Sequence, residues 1–389
     1  MEILFWILFA FLIYSYLGYP LLMFCISIII NAFTSKKESG DLLFEPHVTL
    51  FVTAFNEIDV VHQKVKNSFD LDYPKDKLHF VWVTDGSTDG TNNELKKYPE
   101  ITIFHQDDRK GKIHAMNRGM RFVNTPLVIF SDANTLLNKN CIKAIVTEFK
   151  NEKTGCVAGE KRIIPLVKDN AVNTGENIYW KYESLVKKSE SKVNSAIGAV
   201  GELFAIRTEL FSEIENNTIL DDFVISLRIA QKGFKIKYTS EAYAEERASV
   251  NIKEELKRKT RIAFGAFQTL FRLRELLNPF KYKFLTFQYI SHKVIRWTII
   301  PLSLPLLFIL NIMLTYYQSQ SEIYSMLLFI QVFFYLMVLA GFLFQSKKIR
   351  IKLIFAPYYF FVMNYSLIIG FLRFLKQSQP INWERAKRG

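Results

Sequence analysis

The apolar run Leu127-Val128-Ile129-Phe130-Ser131 breaks off in Asp132-Ala133-Asn134. A short apolar run bounded by polar turn formers reads as a buried strand. Its acid and amide then project from the carboxyl end, where open α/β sheets bind ligands. Oxygen-bearing side chains at i and i+2 can face one small hard cation such as Mg2+. They suit a helix N-cap or an Asx-turn equally well. A second acid-bearing stretch, Thr84-Asp85-Gly86-Ser87-Thr88-Asp89-Gly90-Thr91, also follows an apolar run. Asp-Gly-Ser is a strong turn former, and Asp89 suits a helix cap. Beside the end of an earlier run, Thr53-Ala54-Phe55-Asn56-Glu57, the same residues also suit a nucleotide crevice. A carboxylate there accepts from a base N–H or a ribose hydroxyl, and a helix start can face phosphate.

Arg109-Lys110-Gly111-Lys112, followed by Ala115 and Asn117, sets three cations and a glycine at a helix start. Such a set can neutralise a diphosphate, although most runs of this kind are solvated loops. Gly198-Ala199-Val200-Gly201-Glu202 precedes another apolar run, and small residues there permit close approach of a ligand or a tight bend. Leu220-Asp221-Asp222-Phe223 opens a helix-length segment. Adjacent acids at a helix start complement its dipole. An acid facing a cleft that holds a metal and a sugar can also take a proton from an attacking hydroxyl. Walker A, GxGxxG, HExxH and CxxC patterns are absent, which removes kinase-like ATPase, dinucleotide and zinc chemistry.

The elements that must position these residues alternate in period. Strand-like runs at Val48–Thr53, His79–Thr84, Ile101–His105 and Leu127–Ser131 enclose helix-length segments at Ile58–Leu71, Asp89–Lys97 and Ile113–Val123. That order predicts βαβ units and a mostly parallel sheet. A helix at Ala171–Lys188, a strand at Ala199–Ile206 and a helix at Asp221–Lys232 follow.

The flanks belong to another solvent. Ile3 to Ile30 is long enough to cross a bilayer, and it lacks the basic start of a signal peptide. Lys36 and Lys37 behind it place the next domain in the cytoplasm by the positive-inside rule. Ile252 to Lys283 is basic and amphipathic, which suits a membrane surface or, more plainly, a packed helix with a solvated face. Three apolar stretches follow at Val294–Tyr316, Ile323–Phe344 and Leu353–Leu375. Lys347, Lys348, Arg350 and Lys352 put the loop before the last stretch inside. Three full crossings then carry Lys376, Arg385, Lys387 and Arg388 to the far side, against the same rule. Pro301, Pro305 and Pro357 leave room for a re-entrant or interfacial segment. The expected division is 1–32 N-terminal transmembrane helix, 45–250 catalytic domain, 251–285 interfacial helices, 286–376 transmembrane region and 377–389 basic tail. A net charge of +13 calls for an anionic partner. Its cations crowd beside apolar segments, which favours membrane lipid and a phosphorylated substrate over nucleic acid. Cys25, Cys141 and Cys156 are too few and too scattered for a disulfide framework.

Taken in order, Thr-Ala-Phe-Asn-Glu at 53–57, Asp-Gly-Ser-Thr-Asp at 85–89, Arg-Lys-Gly-Lys and Asn117, Ser-Asp-Ala-Asn at 131–134, the Gly201 stretch and Asp221-Asp222 resemble the membrane-bound family 2 glycosyltransferases. The group in view contains poly-N-acetylglucosamine, cellulose and hyaluronan synthases. The resemblance implies a GT-A α/β domain with one N-terminal and about three C-terminal transmembrane helices. It implies an inverting transfer from a nucleotide-diphosphate sugar, UDP-linked by expectation, with Mg2+ or Mn2+. Ala54, Asn56, Glu57, Asp85, Ser87, Lys112, Asn117, Asp132 and Arg261 would bind the donor. Asp132 and Asn134 would meet the metal, Gly201, Glu202 and Asp221 the acceptor, and Asp222 would be the base. The acceptor would be a lipid-linked or growing glycan in cell-surface polysaccharide biosynthesis at a bacterial cytoplasmic membrane.

Two departures bear on this. The metal motif is usually Asp-x-Asp, and an amide at Asn134 brings no charge. Processive synthases carry Gln-x-x-Arg-Trp, whereas Arg258-Lys259-Thr260-Arg261-Ile262 keeps the cation and loses the tryptophan. A processive synthase and an inactive nucleotide-sugar-binding scaffold of a polysaccharide export complex, with partner proteins, are the competing expectations.

Overall fold

The computed structural model describes residues 1–33, 44–164, 171–249, 251–318, 320–344 and 352–378. Lys36, Lys37, Lys347, Lys348, Arg350 and the tail from residue 379 lie outside them.

Membrane-length helix and sheet alternate along the chain. The N-terminal span runs through α1 (Glu2–Ile13), a π turn (Tyr14–Gly18) and α2 (Tyr19–Phe33). The α/β domain follows: β1 (Val48–Ala54), α3 (Ile58–Phe69), β2 (Leu78–Asp85), α4 (Thr91–Leu95), β3 (Ile101–Gln106), α5 (Lys112–Met120), β4 (Leu127–Asp132) and β5 (Thr135–Leu137). Then come α6 (Cys141–Glu148), β6 (Thr154–Ile164), α7 (Ala171–Val193), β7 (Leu203–Arg207), α8 (Asp221–Gln231) and β8 (Lys235–Arg247). The remaining helices are α9 (Ile252–Arg272), α10 (Pro279–Tyr282), α11 (Phe284–Tyr289), α12 (Ile295–Tyr317), α13 (Glu322–Phe344) and α14 (Lys352–Leu375).

The sheet order is β3-β2-β1-β4-β7-β6-β8-β5. β3, β2, β1 and β4 are parallel, and β1 is buried along its whole length, as a strand covered on both faces must be. β6 and β8 are parallel as well, while β7 runs antiparallel to both β4 and β6 and β5 antiparallel to β8, so the sheet is mixed but mostly parallel, as expected. The sequence reading missed β5, β6 and β8. In β6 and β8 the charged residues Glu160, Lys161 and Glu246 interrupt the apolar pattern, and Lys161 and Glu246 are buried. Two apolar cores cover the sheet faces, one joining α5 and α8 (Met116, Phe130, Val224, Leu227), the other α3 and α6 (Val61, Val65, Ile142, Ile145).

Among the described residues four helical spans are long and apolar enough to cross a membrane: Glu2–Phe33, Phe284–Tyr317, Glu322–Phe344 and Ile354–Leu375. α12 passes through Pro301 and Pro305, and α14 through Pro357, without a break in the helix. The N-terminus meets the α12–α13 loop: Tyr324 donates to Glu2 at 2.6 Å and Trp6 to Tyr324 at 3.1 Å. α9 does not lie free. Phe264, Phe267 and Phe271 pack on Phe371 and Phe374 of α14, while Phe280 at 92% exposure stays open.

α7 bridges the sheet strands β6 and β8 to α2 and α14. A buried ionic network holds it there. Glu183 pairs with Lys293, Arg296 and His292, and Glu190 accepts from Tyr19 and lies 2.8 Å from His292 Nδ1. Charges taken out of water in this way stay put only because each is paired.

Candidate functional site

The chain turns back across the sheet between β1 and β4: β2 and β3 lie on one side of β1, β4 on the other. Ligands of open α/β sheets sit at the carboxyl ends of strands at such a switch point. Thr53 and Asp132 are register partners there. Asp132 Oδ1 accepts from Lys112 Nζ at 3.1 Å, and the same ammonium lies 3.3 Å from Asp221 Oδ2. Gly201 closes the ring: a Cβ built on it would lie 3.8 Å from Asp222 Oδ2 and 3.9 Å from Lys112 Nζ. Asp132, Lys112, Gly201, Asp221 and Asp222 therefore converge from four separate segments.

Local structure explains the convergence. Gly111 (φ 97°) turns the chain into α5, so Lys112 is the first helical residue. Asp221 and Asp222 occupy the first turn of α8, where the helix dipole favours anions. That turn is keyed to the Gly201 stretch. Ala199 N donates to Ser226 Oγ at 3.0 Å, and Gly198 (φ +81°) sits so close to Phe223 that a Cβ would fall 2.1 Å from its ring.

The electrostatics follow. Burial pushes Asp222 up to about 7, Asp221 and Glu202 add to the push, and Lys112 opposes it. Burial also raises Asp132, as do Glu202, Glu246 and Asp221, against Lys112. For Lys112 burial works against the charge, but the carboxylates of Asp132, Asp221 and Asp222 outweigh it and raise the ammonium above its ordinary value. One cation thus holds three carboxylates.

Beside this cluster lies the wall read as a nucleotide crevice. Asn56 is held at φ 52°, its N–H donating to Ser87 Oγ at 3.1 Å and its Oδ1 accepting from Thr88 N at 2.9 Å. Glu57 N donates to Thr91 Oγ1, and Asp89 accepts from Ile58 N. Asp85 is buried and accepts from the N–H groups of Lys110 and Gly111 at 3.0 and 2.7 Å. Gly86 (φ +66°) lets the Arg109 backbone come within 2.9 Å of where a Cβ would stand. The guanidinium of Arg109 lies 3.9 Å from the Phe55 ring centroid, across the mouth of the crevice. Ala54, Asn56, Glu57, Asp85 and Ser87 thus share one wall with the cationic loop. Asn117 lies elsewhere: its amide exchanges two hydrogen bonds with the Ile214 backbone and fastens the loop before α8. Arg261 is on α9, among helices that pack against α14.

Several residues that sequence reasoning passed over support the cluster. Lys64 is fully buried on α3 and donates to Ser131 Oγ at 2.7 Å and Thr135 O at 2.8 Å, bracing the turn that carries Asp132. Burial pushes this ammonium down to about 7, Cys141 and Asp132 opposing. Lys161 on β6 is buried between Glu202 and Glu246. Asn134 Nδ2 donates to Glu246 Oε1 at 3.4 Å. No single spacing links these residues, and a buried lysine in an amphipathic helix gives no signal in the sequence that sets it apart from a solvated one.

Among the described residues no three His, Cys, Asp or Glu side chains are grouped to hold a metal. The oxygens of Asp132 and Asn134 at the β4 end still suit Mg2+ or Mn2+. Mg2+ is commonly bound by one or two carboxylates plus substrate phosphates and water, so Asp132 would be the charged ligand, while Asn134 turns its Nδ2 to Glu246.

The family model described as glycosyltransferase like family 2 matches residues 46–265. The chain belongs to that family. Among its relatives is a poly-beta-1,6-N-acetyl-D-glucosamine synthase of Staphylococcus epidermidis, 24% identical over 369 residues, covering 88% of this chain and 87% of that one. The probable glycosyltransferase YdaM of Bacillus subtilis (strain 168) is 26% identical over 236 residues, 57% of this chain and 55% of its own. The Staphylococcus aureus (strain MSSA476) synthase matches at 24% over 61% of this chain and 58% of its own. With those two the match spans little more than half of the relative. A mannosyltransferase from Pyrobaculum calidifontis, solved with GDP-Man and Mn2+, superimposes with a TM-score of 0.70 at 21% identity over 97% of this chain and 100% of that one. The fold, GT-A domain and apolar helices together, is therefore shared along nearly the whole chain.

Proposed function

We propose that this family member is a metal-dependent, inverting transferase of the cytoplasmic membrane face. It passes a sugar from a nucleotide diphosphate, UDP by preference, to a lipid-linked or growing glycan acceptor in cell-surface polysaccharide synthesis. The observation that carries the reading is the convergence of Lys112, Asp132, Asp221 and Asp222 at the β1/β4 switch point.

The Asn56–Ser87 wall and Asp85 hold the nucleoside. Lys112 and the Arg109–Gly111 loop neutralise the diphosphate, as cations and amides at a helix start do. Asp132 and Asn134 would hold Mg2+ or Mn2+, which would supply further positive charge against the leaving diphosphate. Asp222, with a proton affinity near neutrality, removes the acceptor's hydroxyl proton as that oxygen attacks opposite the leaving group. Asp221 and Glu202 line the acceptor side. One displacement suffices, and no covalent glycosyl-enzyme forms.

The test is a panel of labelled nucleotide sugars offered to membranes with and without Mg2+ or Mn2+. Label from one donor should enter lipid or glycan only with metal; no incorporation from any donor would overturn the enzyme reading and favour the binding scaffold. A processive synthase is the second reading, supported by the Staphylococcus epidermidis relative over 88% of this chain. A product ladder in place of one added sugar would decide for it.

A further inference from the structure

A cavity of about 350 Å3 lies outside the catalytic cleft, walled by α7, α9, α12 and α14. That is the size of a small-ligand site. Two of its walls, α12 and α14, belong to membrane-length helices. Aromatic and aliphatic side chains make up most of the lining, and Ile262 is among them, the residue that stands where the processive pattern has tryptophan.

The polar groups in the lining are specific. Lys259 and Arg296 are its charged residues, both cations, and no carboxylate faces it. They are 4% and 5% exposed. Their counter-charges stand behind the wall: Glu255 lies 3.6 Å from Lys259, and Glu183 lies 3.3 Å from Arg296. Arg296 Nε and Asn364 Oδ1 are buried without a hydrogen-bond partner among the described residues. Buried polar atoms are rarely left so unless something else meets them.

Two tryptophans join this cavity to the catalytic cleft. Trp180 lines it, and Lys161, the partner of Glu202, lies 5.0 Å from the Trp180 ring. Trp297 also lines it and packs at 5.3 Å on Phe223, the residue after Asp222. The cavity wall is thus in contact with the residue that follows the base.

We propose that this cavity receives the apolar chain of a lipid-borne acceptor, with Lys259 and Arg296 facing the anionic phosphate that joins the chain to its head. An apolar lining with two cations, in walls that reach into the bilayer, complements an amphipathic anion. Of the tyrosine hydroxyls in the lining, Tyr182 is engaged with Tyr16 O and Arg296 and Tyr359 with Glu255, which leaves fewer polar partners than a glycan's many hydroxyls would call for. The proposal rests on the glycosyltransferase reading above, because it names the acceptor class for the same base.

The test uses the full chain in phosphatidylcholine nanodiscs and a long-chain alkyl phosphate carrying a mid-chain diazirine. After irradiation, label should map to α9 and α14 peptides around Ala266 and Met363. Unlabelled alkyl phosphate should displace it at least tenfold better than the alcohol of equal length, and Lys259→Met should erase that preference. Ala266→Phe, and the gentler Ala356→Leu, should cut labelling at least fivefold while labelled nucleotide sugar is still retained, which reports folding. Ile309→Phe on the lipid face of α12, 54% exposed, should change nothing. Label confined to outward residues of α12 and α13, or displaced by oligosaccharide and not by alkyl phosphate, overturns the proposal; the latter result assigns the cavity to a glycan. Failure of the donor to bind wild-type protein would count against the transferase reading and leave the labelling result to stand by itself.

Discussion

Asp222→Asn separates the base from its surroundings most cleanly. The amide keeps the shape but cannot accept the proton, and loss of a general base costs about 10²–10⁴-fold, or about 3–5 kcal/mol of barrier. The wild-type carboxyl is lifted to about 7 by burial and by Asp221 and Glu202. The base must be ionised to act, so wild-type kcat/KM for the donor should fall as pH drops below about 7, and this limb should vanish in the variant. The same lift has a stability consequence of opposite use. Folding favours the protonated carboxyl, so its contribution is full below the ordinary value of 3.8 and is lost as pH rises through about 7. At about 1.4 kcal/mol per pH unit the difference reaches about 4 kcal/mol. Asp222 is partly open to solvent, which reduces that to roughly 2–3 kcal/mol. The variant should therefore resist heat better than wild type near pH 8, with the advantage fading toward pH 4. The assay pairs initial rates of labelled-sugar transfer with thermal unfolding across that range. More than about a tenth of wild-type activity in Asp222→Asn, or a wild-type rate flat from pH 5 to 8, would refute the assignment.

Lys112→Met leaves Asp132, Asp221 and Asp222 without their shared cation, and donor affinity measured by equilibrium binding should fall by about 10–100-fold, as for a lost charge-assisted contact. Gly198→Ala forces a Cβ into the Phe223 ring at a left-handed φ; thermal unfolding should show a loss of about 2–4 kcal/mol, and transfer should drop because the start of α8 must move. Asn134→Asp removes the donor to Glu246 and sets two carboxylates face to face. It should lower stability by about 1–3 kcal/mol without metal and recover part of that in saturating Mn2+, as read by melting with and without the ion.

The catalytic strands were legible because β1, β2 and β4 are buried on both faces and end in polar turns, so apolar runs and motif positions coincide. Asp132, Asp85 and Asp222 could be named for the same reason: each stands at an element boundary that composition marks. β6 and β8 were not legible, since Lys161 and Glu246 interrupt the pattern with charges that only the folded sheet pairs. Lys64 was hidden in the same way, a buried lysine within an amphipathic helix being indistinguishable in sequence from a solvated one. Asn117 shows the converse: a polar residue in a motif's neighbourhood that the fold spends on its own loop.

The ionic clamp on α7 fixes the enzyme's height above the bilayer. Glu183 and Glu190 tie the sheet domain to the residues that open α12 and to Tyr19 in the first span, all of them buried. Rocking the domain away from the membrane would strand charges in an apolar setting, at about 3–5 kcal/mol for each broken pair. On the proposed reading, the clamp opposes the catalytic domain swinging out to meet its acceptor. The reactive hydroxyl would then have to arrive at a set depth, and the distance between an acceptor's anchor and its hydroxyl would become a measure by which substrates are accepted or refused.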